Sequence, residues 1–275
     1  MRGVRNGKSK GDKSMEIKIK SFKTLDEQLN YLMTHKNVVF EQTEDAKKVL
    51  FDNNYYNLIA CGKIKFTREI NEQKHSYGAS DFKDWKTYFE KDCQLNEHLM
   101  VNILSFERVI NSRTAYLVSG LMANGNLSGA EQISLVHTIQ GKYNYTGYKG
   151  INTWEHITKK TFGELRHIIK WLWRNEKLDT VKQIVEGYPF LKTHTLKMLD
   201  ELVNLRNNSF HFRPINIYLV YGNIRGYHSQ YKTRKRIVEA MCFQTPCEKA
   251  KSYMVEIFRN TKRFIDIKKQ SISID

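Results

Sequence analysis

The chain has 275 residues, of which 40% are hydrophobic and 27% are charged, and its formal net charge is +16. This composition is ordinary for a globular protein, and no apolar run approaches the roughly 18 to 20 residues of a membrane-spanning helix. With only three prolines and few alternating strand-like patterns, the sequence predicts an all-α fold of one large domain or two small ones.

The first 20 residues are predicted to be a disordered basic arm, because they contain almost nothing to bury. The first helix is expected after Thr24, which forms a capping box with Glu27, and a second short helix is expected after Thr43. A long amphipathic segment then begins at Ser80 and is expected to end at Gly120, as one helix or two.

Residues 121–153 are predicted to be a loop insertion with one short helix, because five glycines interrupt the pattern. Three tyrosines there could stack on nucleobases or simply pin the loop to the core, and the second is the commoner use; they are Tyr143, Tyr145 and Tyr148. Further helices are predicted from a capping box at Thr161, near residues 180–186, and over residues 193–212.

The last predicted helix starts at Thr245-Pro246-Cys247-Glu248, which is interpreted as a capping box with proline at the first helical position. It belongs to a basic C-terminal extension, residues 226–275. Residues 225–275 carry twelve lysines or arginines against five acids, and residues 1–23 carry eight against two. Such ends favour a polyanionic partner, RNA above anionic lipid, although plain solubility is the alternative explanation. The candidate RNA-binding residues are Lys232, Arg234, Lys235, Arg236, Lys249, Lys251, Arg259, Lys262 and Arg263.

The cysteines and histidines do not predict a metal site. The four cysteines are scattered without a CxxC pair, and the nine histidines show neither HxxxH nor HExxH spacing. No phosphate-binding loop, dinucleotide fingerprint or GxSxG motif occurs, so no cofactor is expected. The scattered cysteines and the lack of a secretory signal favour a cytoplasmic location.

One polar run remains as a candidate for catalysis. Arg206, Asn207 and His211 form an R-x4-H pattern near the end of a predicted helix, with Asn208 as possible support. Histidine titrates near neutral pH, with an ordinary pKa of about 6.5, so it can exchange protons with the 2′-hydroxyl or the leaving 5′-oxygen of RNA. Arginine can stabilise the charge that develops on the phosphorus oxygens. This chemistry needs no metal, because the nucleophile belongs to the substrate.

The spacing of the pair has a geometric consequence. Five residues place Arg206 and His211 about 140° apart around a helix. Two copies facing each other across a two-fold axis could aim both groups at one phosphate, so a homodimer is expected. The alternative is that these polar residues only cap the helix end, where cations suit the helix dipole.

Four segments, in order, resemble the Abi-like (abortive infection) proteins of the AbiF and AbiD type, which belong to the HEPN ribonuclease superfamily. They are Leu202-Val203-Asn204-Leu205-Arg206-Asn207 with His211, Thr24 to Leu29, Asn54-Tyr55-Tyr56-Asn57-Leu58, and Thr161 to Leu165. The resemblance covers about residues 21–225. It departs from the family at Phe212, where relatives often have a second histidine, and at Asn57, where they have arginine.

The resemblance implies an all-α HEPN bundle with additional terminal helices, a homodimer, and metal-independent RNA cleavage in phage defence. It assigns Arg206, Asn207 and His211 to the catalytic motif and Glu107 to a position near the site. It also implies a cognate noncoding RNA, which could restrain the nuclease. Two alternatives remain: a catalytically idle RNA-binding component of a ribonucleoprotein, and a protein-interaction or DNA-binding module.

Overall fold

The computed structural model describes residues 23–71, 74–141, 152–191, 195–220 and 227–271. Across these ranges it contains twelve α-helices and four short strands, so the predicted all-α class is confirmed. The expected arm of residues 1–20 and the tyrosines Tyr143, Tyr145 and Tyr148 lie outside the described residues.

The elements follow one another with short connections. The helices are α1 (Leu25–Lys36), α2 (Thr43–Asp52), α3 (Tyr55–Phe66), α4 (Phe82–Ala123), α5 (Gly129–Gln140), α6 (Thr153–Thr158), α7 (Phe162–Arg174), α8 (Leu178–Ile184), α9 (Thr195–Phe210), α10 (Ile215–Val220), α11 (Tyr227–Cys242) and α12 (Glu248–Gln270). The strands are β1 (Val38–Val39), β2 (Thr67–Asn71), β3 (Lys74–Tyr77) and β4 (Ser80–Asp81).

Helix α4 is the axis of the fold. Its 42 residues form one continuous helix about 63 Å long, and α3, α6, α9, α11 and α12 all pack against it. The expected end at Gly120 is wrong, because the helix continues to Ala123 and Asn124 closes it by donating its N–H to the Gly120 carbonyl. A single glycine in an otherwise well-packed helix costs too little to end it.

Two of the three predicted capping boxes are present, and the third is absent because a distant residue binds its capping side chain. The capping boxes at Thr24 and Thr161 are both present. The box predicted at Thr245 is wrong: α12 begins with Cys247 as N-cap and no side-chain cap bond. The Thr245 hydroxyl instead donates to Asn102 Oδ1 at 2.8 Å, so a contact with α4 takes the group that the capping box would have used.

The one short helix predicted in the middle segment, around residues 130–140, is confirmed. Within residues 121–153, α4 runs on to Ala123 and α5 occupies Gly129–Gln140, with a capping box between Ser128 and Glu131. Residues 142–151 lie outside the described part of the chain.

A small antiparallel hairpin, β2–β3, was not predicted. Its pairing places Ile70 opposite His75, and β2 packs against α12. Strands β1 and β4 form a separate parallel pair. These strands are too short to show the alternation that identifies a strand from sequence.

The C-terminal extension is helical, as expected, and it shares the core of the rest of the chain. Ile237, Val238 and Met241 of α11 and Ile257 of α12 belong to the same buried cluster as the apolar side of α4. The described parts of residues 226–275 are therefore integral to the fold.

Helices α3 and α4 pack tightly where they cross at Gly62. A Cβ added to Gly62 would overlap Cε3 of Trp85, whose ring is fully buried. The indole N–H also donates to Ser80 Oγ at 2.8 Å, which holds the ring in place.

Gly62→Ala is therefore expected to lower the free energy of unfolding by about 1 to 3 kcal/mol through overpacking. The control is Gly120→Ala, where no atom lies within 4 Å of the added Cβ. That change should raise stability by about 0.5 to 1 kcal/mol, because alanine is the better helix former. Urea unfolding measures both, and a stability-neutral Gly62→Ala would contradict the tight crossing.

Candidate active site

The polar motif lies at the end of α9. The apolar side of this helix is buried through residues such as Leu199, Leu202 and Leu205, and these anchor it against the core. Arg206 and Asn207 follow in its last turn, and His211 comes directly after its final residue, Phe210.

The chain leaves α9 through a strained turn, residues 210–214, which we call the motif turn. The Arg213 N–H donates to the Asn208 carbonyl and the Phe212 N–H to the Ser209 carbonyl, both at 3.0 Å. This is the bond pattern of a Schellman motif, with Phe212 at the position that usually holds glycine. Phe212 has φ of 50°, a left-handed conformation that is unfavourable for a bulky residue. Its side chain is 68% exposed, next to an exposed His211.

Arg206 is held from two sides. Its guanidinium lies 4.4 Å from the centre of the Phe210 ring, and its Nε is 3.5 Å from Glu107 Oε2 on α4. The second contact is an ion pair without a hydrogen bond. The other oxygen of Glu107 accepts the N–H of Phe162 at the start of α7, at 2.9 Å. Glu107, named from the resemblance alone, thus connects α4, α7 and the motif arginine.

The other motif residues have different surroundings. Asn208 is half-buried and donates to the Asn204 carbonyl one turn earlier, at 2.7 Å. Asn207 and His211 are exposed. Among the described hydrogen bonds and ion pairs, none joins Arg206 to His211, so the structure brings Arg206 to Glu107 rather than to the histidine.

Buried polar side chains of α4 form hydrogen bonds with the backbone on both sides of the motif turn. The Asp92 carboxylate is fully buried and accepts the N–H groups of Ile215 and Asn216 at the start of α10. One turn along α4, Asn96 Nδ2 donates to the Ser209 carbonyl at 3.5 Å. These bonds fix both sides of the motif turn to α4.

A third support comes from α3. Asn57 Nδ2 donates to the Phe212 carbonyl at 3.2 Å, and Asn216 Nδ2 donates to the Cys61 carbonyl at 3.0 Å. The strained backbone of Phe212 is therefore held by a side chain from a helix more than 150 residues away in sequence. Asn57 stands where the resembling family has arginine.

Sequence reasoning did not identify Asp92, Asn96, Asn57 or Asn216. A signal for two of them was present. The buried stripe of α4 includes Trp85, Phe89, Asp92, Asn96, Leu99 and Ile103, spaced alternately by three and four residues. Two consecutive polar residues in such a stripe indicate a buried polar contact, because a buried polar group needs a partner.

Helices α3 and α4, which contact the motif turn or α9, also carry exposed apolar side chains. On α4, Val101 and Leu104 are 63% and 48% exposed, and they lie between Asn96 and Glu107, the residues that contact α9. On α3, Tyr56 is 66% exposed beside Asn57, which binds the Phe212 carbonyl.

The predicted RNA-binding residues differ in their exposure and in their partners. Five are exposed on α11 and α12: Lys232, Arg236, Lys249, Arg259 and Lys262. Lys235 and Lys251 each pair with a glutamate of their own helix, and Arg263 is half-buried and donates to the Lys65 carbonyl.

The assignment of Arg234 as a surface RNA contact is wrong. Its side chain is 7% exposed and forms an ion pair with Glu201 at 2.9 Å. It also donates to the Tyr218 carbonyl at 2.9 Å. Arg234 lies on the face of α11 that packs against the core. A buried charge there needs a partner.

Asp92 makes the stability of the site dependent on pH. Burial raises the pKa of Asp92 to about 7, although the two N–H donors lower it. The folded state then retains a proton that the unfolded chain, with an ordinary pKa near 3.9, has released. The contribution of Asp92 to the free energy of unfolding should therefore fall as pH rises from about 4 to 7, by at most about 1.4 kcal/mol per pH unit.

The difference in unfolding free energy between wild type and Asp92→Asn isolates this effect, since the amide does not titrate. It should decline across that window and level off above about pH 7 in urea unfolding series. Asp45→Asn, which removes an exposed carboxylate on α2, controls for the change of charge. A difference that is constant with pH would contradict a protonated, buried Asp92.

Three general findings complete the description. Within the described ranges, no group of three or more histidine, cysteine, aspartate or glutamate side chains could hold a metal ion. None of the helices described is both long and apolar enough to cross a membrane. Comparison of the chain with protein-family models, with curated proteins and with solved structures finds no match.

Proposed function

We propose that this protein is a metal-independent endoribonuclease of the HEPN type that acts in abortive-infection phage defence. The observation that carries the proposal is the end of α9. A guanidinium near the end of α9 is held by Glu107 and Phe210, and an exposed imidazole follows in the strained turn that buried groups of α4 fix in place. A turn that only capped the helix would not need a bulky residue in a left-handed conformation.

The proposed reaction uses the 2′-hydroxyl of RNA as nucleophile. An imidazole accepts the 2′-hydroxyl proton while that oxygen attacks the adjacent phosphorus. The bond from phosphorus to the 5′-oxygen breaks, and an acid group donates a proton to that leaving oxygen. The products are a 2′,3′-cyclic phosphate and a 5′-hydroxyl, so DNA is not a substrate.

Arg206 is suited to stabilise the negative charge that develops on the phosphorus oxygens. Its Nε faces Glu107 and its plane lies over Phe210, which restricts the side chain. Its terminal nitrogens make no hydrogen bond to another described residue, so they remain available as paired donors. Preorganised donors of this kind need little rearrangement during the reaction.

The reaction needs both an acid and a base, and one copy offers a single exposed motif histidine. We therefore propose a homodimer in which two motif turns share one RNA-binding cleft. Val101 and Leu104 are exposed apolar residues of α4 between Asn96 and Glu107 in sequence, and we propose that a second copy covers them.

The remaining surroundings suit a single RNA strand. The exposed cations of α11 and α12 attract phosphates, and the exposed rings of Tyr56 and Phe212 can stack on bases near the scissile bond. The same cations could also hold a cognate structured RNA that restrains cleavage.

His211→Ala and Arg206→Ala should each reduce cleavage of single-stranded RNA in EDTA by about 100-fold or more, because each removes a group that acts on the transition state. His35→Ala, which removes an exposed histidine on α1, should leave the rate unchanged. Binding of an uncleavable 2′-deoxy oligonucleotide should persist in all three variants.

If wild-type protein binds RNA tightly but cleaves none, the nuclease proposal is wrong. The alternative, a catalytically idle RNA-binding component of a ribonucleoprotein, would then be favoured. Equal affinity for duplex DNA and RNA at the same salt concentration would favour a DNA-binding module instead.

The proposed dimer is tested by placing charges on the apolar surface of α4. Val101→Glu combined with Leu104→Glu should give a monomer by sedimentation velocity and reduce cleavage by about 100-fold, although His211 is intact. Met33→Glu combined with Ile133→Glu makes the same charge change at exposed apolar residues of α1 and α5 and should do neither. Wild-type protein that is fully active as a monomer would rule out the shared cleft.

A further inference from the structure

A polar stripe of α9 leads from the motif histidine back toward the start of that helix. Its four residues are spaced so that they lie within about 60° of one another around the helix axis. They are Asp200, Asn204, Asn207 and His211. His211 follows the last residue of α9, but its N–H still donates to the Asn207 carbonyl at 3.2 Å, as in a helix. The stripe is therefore about 16 Å long.

Helix α7 runs antiparallel to α9 beside this stripe. The start of α7 meets Glu107, which also faces Arg206 near the end of α9. Further along α7, Arg166 and Lys170 reach Asp200, which lies in the first half of α9. The two cations therefore stand at the end of the stripe that is farther from the motif turn.

Both cations share the carboxylate of Asp200. Lys170 Nζ lies 2.9 Å and 3.0 Å from its two oxygens. Arg166 Nη1 is 3.1 Å from Oδ1, in an ion pair without a hydrogen bond, and Arg166 Nη2 is 3.2 Å from His167 Nε2. Two positive charges thus face one negative charge. The guanidinium is held from two sides and keeps donors for a further acceptor.

The middle of the stripe offers side-chain amides. Asn204 and Asn207 are both exposed. Among the hydrogen bonds of the described residues, none uses the side-chain amide of either asparagine. An amide both donates and accepts, which suits the base edges that single-stranded RNA exposes. The stripe therefore combines groups that suit phosphates at one end with groups that suit bases in the middle.

We propose that Arg166 and Lys170 bind phosphates of the RNA strand beside the scissile one, with Asn204 and Asn207 facing the nucleotides between. The stripe is long enough for a few nucleotides, which lie about 3.4 Å apart in a stacked strand. A phosphate would take the remaining donors of Arg166 and balance the second positive charge at Asp200. The inference rests on the proposed function for the identity of the ligand, but it does not depend on cleavage.

The test compares two double variants, each of which removes two half-buried cations that share one carboxylate. One is Arg166→Gln/Lys170→Gln. The control is Lys65→Gln/Lys91→Gln, whose ammonium groups lie 3.1 Å and 2.7 Å from Glu256 of α12. Affinity for a single-stranded 2′-deoxy oligonucleotide, which cannot be cleaved, is measured by fluorescence anisotropy at several salt concentrations.

The Arg166→Gln/Lys170→Gln variant should bind at least about 10-fold more weakly at about 0.1 M salt, and its log–log salt slope should fall by about 1.4, or about 0.7 per lost phosphate contact. The control should change by less than about twofold. Equal losses in the two variants would overturn the site. Displacement of the oligonucleotide from wild type by submillimolar inorganic phosphate would also overturn it, because the cations would then bind a free anion.

Removal of the shared carboxylate should have the opposite effect. Asp200→Asn frees both cations from a competing anion, so it should bind the oligonucleotide at least about 3-fold more tightly. Glu256→Gln makes the same change of charge at the control pair and should alter the affinity by less than about 1.5-fold. An ion pair with only a structural role would give no such gain, so unchanged or weaker binding by Asp200→Asn would overturn the proposal.

These results are separable from those that test the nuclease. Wild-type protein that binds the oligonucleotide through Arg166 and Lys170 but cleaves no RNA would refute the nuclease and leave this site standing. An Arg166→Gln/Lys170→Gln variant with wild-type affinity, in a protein that does cleave RNA, would refute the site and leave the nuclease standing.

Discussion

A buried carboxylate on a long helix holds the candidate site together. Asp92 of α4 accepts the first two N–H groups of α10, and Asn96 one turn away binds the last turn of α9. The motif turn therefore has both of its ends attached to the buried side of α4. Everything proposed about Arg206 and His211 depends on that attachment, because the side chains of an unsupported helix end would have no fixed direction.

The motif turn held by this attachment contains a strained residue. Phe212 occupies the left-handed position of a Schellman motif, where glycine would be free of strain. Asn57 holds its carbonyl, Asn96 binds the Ser209 carbonyl before it, and Asp92 accepts the N–H groups of Ile215 and Asn216 after it. The turn therefore presents a phenylalanine ring and an imidazole together at the surface, which is the arrangement that favours a functional turn over a simple helix cap.

The fold also changes which of the positively charged residues can be expected to bind a ligand. Sequence position suggested that the C-terminal cations act as a group, but Arg234 is paired with Glu201 in the core and Lys235 and Lys251 are paired within their helices. The fold, and not a count along the sequence, therefore decides which of these cations are exposed and which are paired.

The sequence by itself determined the helical class, several helix starts and the position of the polar motif. Those features depend on local physics: apolar spacing for α4 and α9, and side-chain capping at Thr24 and Thr161. The tertiary structure alone decided that Thr245 bonds to Asn102 instead of capping α12, and that Arg234 is buried. It also decided that Glu107 meets Arg206 and that Asp92 and Asn57 converge on the motif turn. Each of these outcomes is a contact between residues far apart in the chain, and no local pattern encodes which distant partner a polar side chain will meet.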